Sequence, residues 1–152
     1  MKKLMILVLP FVLLATGCTN VVEEQKNDYL TYKSNLTTKE DLNNTNELEF
    51  STNFNLQRTS EKTDYSLVIS DPKIDMYDVK ALLIHDFMID DVFPSVGIFD
   101  EPVKLLAQSN DKIILKGSIN SDKDIENIKF RLYLEYKDQN DLINAVYYEI
   151  NR

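Results

Sequence analysis

The sequence predicts an all-β domain over residues 47–152, an antiparallel β-sandwich of about six or seven strands. From Glu47 onward, apolar and polar residues alternate with the period of two that half-buried strands require. Polar segments rich in Asp, Asn, Ser and Pro separate the alternating runs, as turns between strands do. The segment has about the length of one sandwich domain, so no second domain is needed.

The first half of this domain contains three predicted strands. The second of them ends at Asp71-Pro72, because proline cannot donate a hydrogen bond to a sheet ladder. The third, Val79–His85, is apolar on both faces in its middle and fits a central strand, although its periodicity also allows a short helix. The side chains predicted to face the core in the first two strands are Leu48, Phe50, Phe54 and Leu56, then Tyr65, Leu67 and Ile69.

The second half contains a short edge strand at Pro102–Leu106 and three longer strands. Residues 128–136 form the clearest strand, with one face predicted to meet the core and the other to meet water. The alternating inward sets are Ile113, Leu115, Gly117 and Ile119, then Ile128, Phe130, Leu132, Leu134 and Tyr136, and finally Leu142, Val146, Tyr148 and Ile150.

Strands of this number and spacing resemble an immunoglobulin-like β-sandwich, with an open or closed barrel as the alternative fold. The sequence has one Cys and no Trp, so it lacks the cysteine pair and the tryptophan of antibody domains. The resemblance is therefore one of architecture and implies no function.

Residues 1–17 have the three parts of an export signal. Met1-Lys2-Lys3 is basic, Leu4–Leu14 is an apolar run that contains Pro10, and Ala15-Thr16-Gly17 is a triplet of small residues. The apolar run is well short of the roughly 20 residues that a membrane-spanning helix needs. We therefore expect a signal peptide over residues 1–17 and no permanent transmembrane helix.

The small triplet followed by Cys18 resembles the lipobox of bacterial lipoproteins. The resemblance implies that a diacylglyceryl group is joined to the thiol of Cys18 and that the chain is cut between Gly17 and Cys18. Ala15 stands where the class more often has leucine. The lipobox thus implies a protein anchored by lipid to the extracytoplasmic face of the cell membrane, because two or three acyl chains hold firmly where one does not.

Residues 18–46 are predicted to be a lipidated N-terminus with a flexible polar tether. Few apolar residues interrupt this segment, so little surface can be buried to offset the entropy of ordering it. A weak helix start at Thr38 allows a single turn near Lys39–Asn43. A flexible chain of this length reaches about 30 Å, which would lift the domain clear of the lipid head groups.

Cleavage after Gly17 makes the chain more acidic. Lys2 and Lys3 are lost while every acidic residue is kept, so 15 basic residues face 25 acidic ones and the net charge becomes −10 instead of −8. A strongly acidic protein repels phosphate backbones and anionic head groups. The composition therefore predicts no nucleic-acid partner and no electrostatic binding to a membrane.

The sequence offers little for catalysis. Its single Cys is assigned to the lipid, and its single His is His85, beside Asp86, so a nucleophile has one candidate base. The sequence also has no glycine-rich phosphate loop and no cluster of zinc ligands, and it implies no cofactor. A hydrolase that uses loop carboxylates near His85 is the weak alternative.

Calcium is the metal that the acidic loops would suit, because carboxylates are its preferred ligands. These loops lack EF-hand spacing, and acidic loops are commonly just solvated. We predict no metal site, with a calcium-binding or small-ligand module as the alternative. The carboxylates concerned are Asp71, Asp75, Asp78, Asp86, Asp90, Asp91, Asp100 and Glu101.

Segment 90–102 joins apolar and aromatic residues to two prolines and a glycine. Such a segment is a poor regular strand and a costly exposed loop. It either folds back over the core, with Phe93 and Phe99 as anchors, or presents these two side chains to a binding partner.

Together the patterns predict a non-enzymatic, membrane-anchored extracytoplasmic lipoprotein that displays a β-sandwich for protein interaction or envelope support. The expected partners are the membrane, through the lipid on Cys18, and an envelope or extracellular protein.

Overall fold

The structure is a computed structural model that describes residues 17–39, 42, 47–87, 92–120 and 127–150. These residues form one helix and eight strands, so the all-β prediction for the domain is confirmed, and the third predicted segment is a strand rather than a helix. The elements are α1 (Gly17–Thr38), β1 (Ser51–Arg58), β2 (Thr63–Ser70), β3 (Met76–His85), β4 (Ser95–Val96), β5 (Val103–Leu105), β6 (Ile113–Ile119), β7 (Phe130–Lys137) and β8 (Ile143–Ile150).

The strands form two antiparallel sheets packed as a sandwich. The first sheet has the order β1-β2-β6, and the second has the order β4-β3-β7-β8 with β5 also paired to β3. Alternate side chains of both sheets fill the space between them, as the period-two pattern predicts. The immunoglobulin-like detail of the fold stays a prediction. Central members of this core are Tyr65, Leu67, Ile69, Leu83, Leu115, Phe130, Leu132 and Leu134.

The edge of the second sheet beside β3 is made by an interrupted strand. Ala81 pairs with Val96 in β4, and Val79 pairs with Val103 in β5. Between these two short pieces the chain leaves the sheet over residues 97–102, which we call the edge bulge. The bulge starts at Gly97, whose φ is +73° and where a Cβ atom would lie 2.3 Å from the Val79 carbonyl oxygen, so a side chain is excluded there.

The helix α1 corrects the predicted flexible tether. Residues 17–38 are helical, and Tyr29 and Leu36 are buried against the outer face of the second sheet. Together with Tyr32 they recur at spacings of three and four residues, which places them on one face of a helix. This stripe buries apolar surface, which the polar composition of residues 18–46 as a whole does not indicate.

The helical turn predicted at Lys39–Asn43 is not found where the structure can test it. Lys39 follows the end of α1 and Leu42 is not helical, while residues 40, 41 and 43–46 lie outside the described part of the chain.

The prediction that β7 has one face in water is also wrong. Tyr133 is as buried as the core residue Leu132, and Arg131 and Glu135 are half-buried. The reason is that α1 covers this face, where a second apolar cluster forms. Its buried members are Tyr29, Leu36, Leu82, Ile84, Phe93, Ile98 and Tyr133.

At β8 one predicted inward side chain points outward. Leu142 is 62% exposed because it belongs to the β7–β8 turn, where its N–H donates to the Asp138 carboxylate. Val146 and Tyr148 pack against the core and Ile150 is buried, as predicted.

Candidate functional site

The candidate site is the outer face of the second sheet, where α1, the edge bulge and strands β3 and β7 meet. An aromatic stack and ion pairs attach the helix there. Tyr32 of α1 stacks on Tyr133 of β7 with ring centroids 4.1 Å apart. The Lys80 ammonium lies 3.4 Å from the Asp28 carboxylate of α1 and 3.9 Å from the Glu135 carboxylate of β7. The helix is thus fixed by partly buried polar contacts as well as by apolar ones.

This environment shifts the ionisation of its members. Burial, together with the hydrogen bond that Tyr133 donates to Glu135 at 2.5 Å, raises the pKa of Tyr133 far above its ordinary 10.0. Burial and the nearby Glu135 carboxylate also raise the pKa of Tyr32. Burial disfavours the ammonium of Lys80, but the Tyr32, Asp28 and Glu135 oxygens outweigh it and raise the pKa of Lys80. The two tyrosines therefore stay neutral and the lysine stays charged at physiological pH.

The C-terminal end of α1 is held by Arg131 of β7. Its guanidinium donates to the carbonyl oxygens of Leu36 at 2.8 Å and Thr37 at 3.4 Å, and its Nε lies 3.3 Å from Glu149. The last carbonyls of a helix lack partners within the helix and carry its negative dipole end. The Arg131 guanidinium supplies hydrogen-bond donors to these carbonyls and a positive charge at the negative end of the helix dipole.

The edge bulge and residues 92–94, which precede β4, form the side of the site next to β3. Phe93 is 3% exposed, and its backbone N–H donates to the Tyr29 hydroxyl at 2.9 Å. Ile98 of the bulge is buried in the same apolar cluster. Segment 90–102 therefore folds back over the protein in its described part, which is the first of the two alternatives that the sequence left open.

Phe99 behaves differently from Phe93. Its ring lies 5.2 Å from the ring of Tyr29, yet the residue is 49% exposed at the top of the edge bulge. Asp100 supports the bulge by accepting a hydrogen bond from the Gly97 N–H at 2.6 Å. Of the two predicted binding residues, Phe93 therefore lies in the apolar cluster, whereas Phe99 is half exposed to solvent.

The lipidation and cleavage residues predicted from the lipobox lie at the start of α1. Gly17 is the first residue of the helix and Cys18 the second. Val21 and Val22 in the next turn are exposed, and the first contact to the sheet described above is made by Asp28. The first turns of the helix therefore extend from the docked part of α1 toward the predicted lipid.

His85, near which the alternative hydrolase would use loop carboxylates, lies in an aromatic environment. The imidazole is buried among three aromatic rings, with centroid distances of 4.8 Å to Phe93, 5.6 Å to Tyr65 and 5.7 Å to Phe130. The Asp86 carboxylate accepts the Lys129 backbone N–H at 2.9 Å. Beside His85 is a cavity of about 170 Å³ that is lined in part by Lys33 and Arg131, and among the described residues Asp86 is the one that brings a carboxylate to its walls.

The acidic loops are not brought together in the described part of the chain. No three His, Cys, Asp or Glu side chains there are grouped so that they could hold a metal ion. Asp78 pairs with Lys137 at 2.7 Å, and Asp75 accepts the Ala107 N–H at 2.9 Å. Asp90 and Asp91 lie outside the described residues.

Among the described residues, no helix combines the length and apolar character needed to cross a membrane.

Comparisons with known proteins add little. The sequence matches no protein-family model and no curated protein. Among solved structures, the chain is similar to Spo0M, a sporulation control protein from Bacillus subtilis, with 11% sequence identity and a TM-score of 0.29. The match covers 68% of this chain and 49% of Spo0M, so this chain spans about half the length of that structure. A likeness at this level shows neither family nor function.

Proposed function

We propose that the protein is a membrane-anchored extracytoplasmic lipoprotein, not an enzyme, that displays a β-sandwich for protein interaction or envelope support. One observation carries the proposal: the only cysteine of the chain, Cys18, follows a small-residue triplet after a basic start and a short apolar run. A leftover cysteine in an exported chain needs an explanation, and lipidation explains its position and its neighbours together.

The placement of α1 supports this proposal. Cleavage between Gly17 and Cys18 would remove none of the contacts described between α1 and the sheet, because these begin at Asp28. The mature chain would then keep each of these contacts and start with the lipidated residue at the tip of a helix.

The proposal is tested by acyl labelling in a bacterial host that is fed radiolabelled fatty acid. We expect labelled full-length protein in the membrane fraction, and we expect Cys18→Ser to abolish the label because the thioether needs the thiol. A matched variant at an exposed residue of the same helix, Thr31→Ser, controls for expression and keeps the label. Undiminished labelling of Cys18→Ser would refute lipidation at this residue.

The protein-interaction half of the proposal is supported by the edge bulge. Phe99 keeps about half its surface exposed on a bulge that Gly97, Ile98 and Asp100 fix in place. An exposed aromatic ring on a rigid support is a common anchor of protein interfaces, because little entropy is lost when a partner covers it. Buried Phe93 is then a support of this surface rather than part of it.

A further inference from the structure

The direction of α1 decides which end of the domain the lipid would meet. Asp28 lies over Lys80 in β3, and eight residues later the Leu36 carbonyl meets Arg131. Arg131 pairs with Ile84, so the helix passes from Lys80 toward Ile84 and runs in the same direction as β3. Its N-terminus therefore points to the end of the sandwich where β3 begins.

The lengths of helix and strand place the lipid-bearing residue level with that end. Cys18 precedes Asp28 by ten residues, which is about 15 Å of helix. Lys80 lies four residues after Met76, the start of β3, which is about 13 Å of strand. The start of α1 thus reaches the end of the sandwich and scarcely passes it.

At this end the outer face carries a row of side chains that α1 leaves uncovered. Tyr77, Lys137 and Ile143 are opposite one another across β3, β7 and β8. Ile143 is 66% exposed and its neighbour Leu142 is 62% exposed. The Asp138 carboxylate of the same turn accepts the N–H groups of Asn140 and Leu142, which fixes the turn that presents the two apolar side chains.

We propose that Leu142 and Ile143, with Tyr77 beside them, form a surface that contacts the phospholipid bilayer in which the lipid of Cys18 is inserted. The inference rests on the lipidation proposed above. The bilayer is the expected partner of this surface, because an acyl chain on Cys18 would hold the bilayer at the end of the domain where these side chains are exposed. Leucine and isoleucine are stabilised by entering the acyl boundary, and tyrosine suits the head-group region.

Charge does not drive this contact. The mature chain has a net charge of −10 and repels anionic lipid. The acyl anchor supplies the affinity, and the apolar turn determines how the domain is oriented on the surface. The domain would therefore sit against the membrane with the end of the sandwich where β3 finishes, at His85, directed away from the bilayer.

The test is thiol accessibility of full-length variants in cells stripped of their wall, using a maleimide polymer that does not cross membranes. Cys18 is consumed by the lipid, so Ile143→Cys and Val92→Cys each carry one free thiol. Val92 is the matched control, because it is an exposed apolar residue at the opposite end of β3. The labelling rate is compared on intact membranes and after solubilisation in a mild detergent.

We expect Ile143→Cys to react several-fold more slowly on membranes than in detergent, and Val92→Cys to react at similar rates in both. Equal rates for Ile143→Cys, in protein that carries acyl label and sediments with membranes, overturn this inference and leave the lipidation intact. Protein without acyl label in the soluble fraction overturns the lipidation and with it the lipid-facing surface. The melting temperature of each variant, measured in detergent, confirms that the substitution leaves the domain folded.

Discussion

Phe93 and Phe99 lie six positions apart and have opposite environments. Phe93 is packed in the cluster under α1, whereas Phe99 rests on Tyr29 with half its surface in solvent. The sequence shows both rings in one apolar segment but does not show that their environments differ. Their separation depends on the turn at Gly97, where the chain leaves the sheet after β4, and that turn depends on contacts with a strand distant in sequence.

This pair yields a prediction about stability and binding. Phe93→Ala should lower the free energy of unfolding by about 3–5 kcal/mol, because it leaves a cavity in a packed cluster. Phe99→Ala should cost less than about 1 kcal/mol, because half of the ring is already hydrated. Urea unfolding of both variants measures the difference. If the proposed protein interaction exists, crosslinking in cells should lose the partner only with Phe99→Ala. Equal losses of stability would contradict the assignment of Phe99 to the surface.

Tyr133 yields a prediction at alkaline pH. Its folded pKa is raised above 10.0 by burial and by its bond to Glu135, whereas in the unfolded chain it loses its proton near pH 10. The unfolded state therefore gains stability first as pH rises, and the contribution of Tyr133 is full below about pH 10 and declines above it. Thermal unfolding between about pH 9 and about pH 11 should show a melting temperature that falls less steeply for Tyr133→Phe than for the natural protein. Identical slopes would mean that Tyr133 ionises freely in the folded state.

At the scale of elements, the sequence predicted the strands and missed the helix. The period-two alternation in β2 and β7 reports burial on one face directly, so the sequence located both strands within a few residues. The helix has a polar composition, and the apolar stripe of its described side chains consists of Tyr29, Tyr32 and Leu36. A count of apolar residues hides such a stripe, whereas their spacing of three and four would have revealed it. Arg131, which holds the end of the helix, is recognisable only once the helix is known to be there.

Two leucines of α1 test whether the helix is docked or loose. Leu36 is completely buried, whereas Leu30 is 49% exposed on the same helix. Leu36→Ala should lower the free energy of unfolding by about 2–5 kcal/mol, and Leu30→Ala should change it by no more than about 0.5 kcal/mol. Both substitutions have the same intrinsic effect on helix propensity, so the contrast isolates docking. A flexible tether would make the two variants alike in chemical denaturation.

At the scale of the whole molecule, the sequence predicted the sandwich but misjudged the distance between the sandwich and Cys18, the proposed site of lipidation. A flexible segment of the predicted length would hold the domain at about 30 Å, whereas a docked helix brings Cys18 level with the end of the domain. The difference arises because Asp28, Tyr32 and Leu36 make contacts to residues about 50 to 100 positions away, which no local pattern contains.

The interrupted strand beside β3 has one more consequence, which concerns self-association. A long open strand edge offers unpaired N–H and C=O groups in a row, on which another chain can assemble into aggregates. Here the edge consists of two residues of β4 and three of β5, separated by the protruding bulge. Neither piece is long enough to template a further strand, and the bulge blocks an approaching chain from spanning both. The residue that begins the bulge, Gly97, thereby protects this side of the sandwich from self-association.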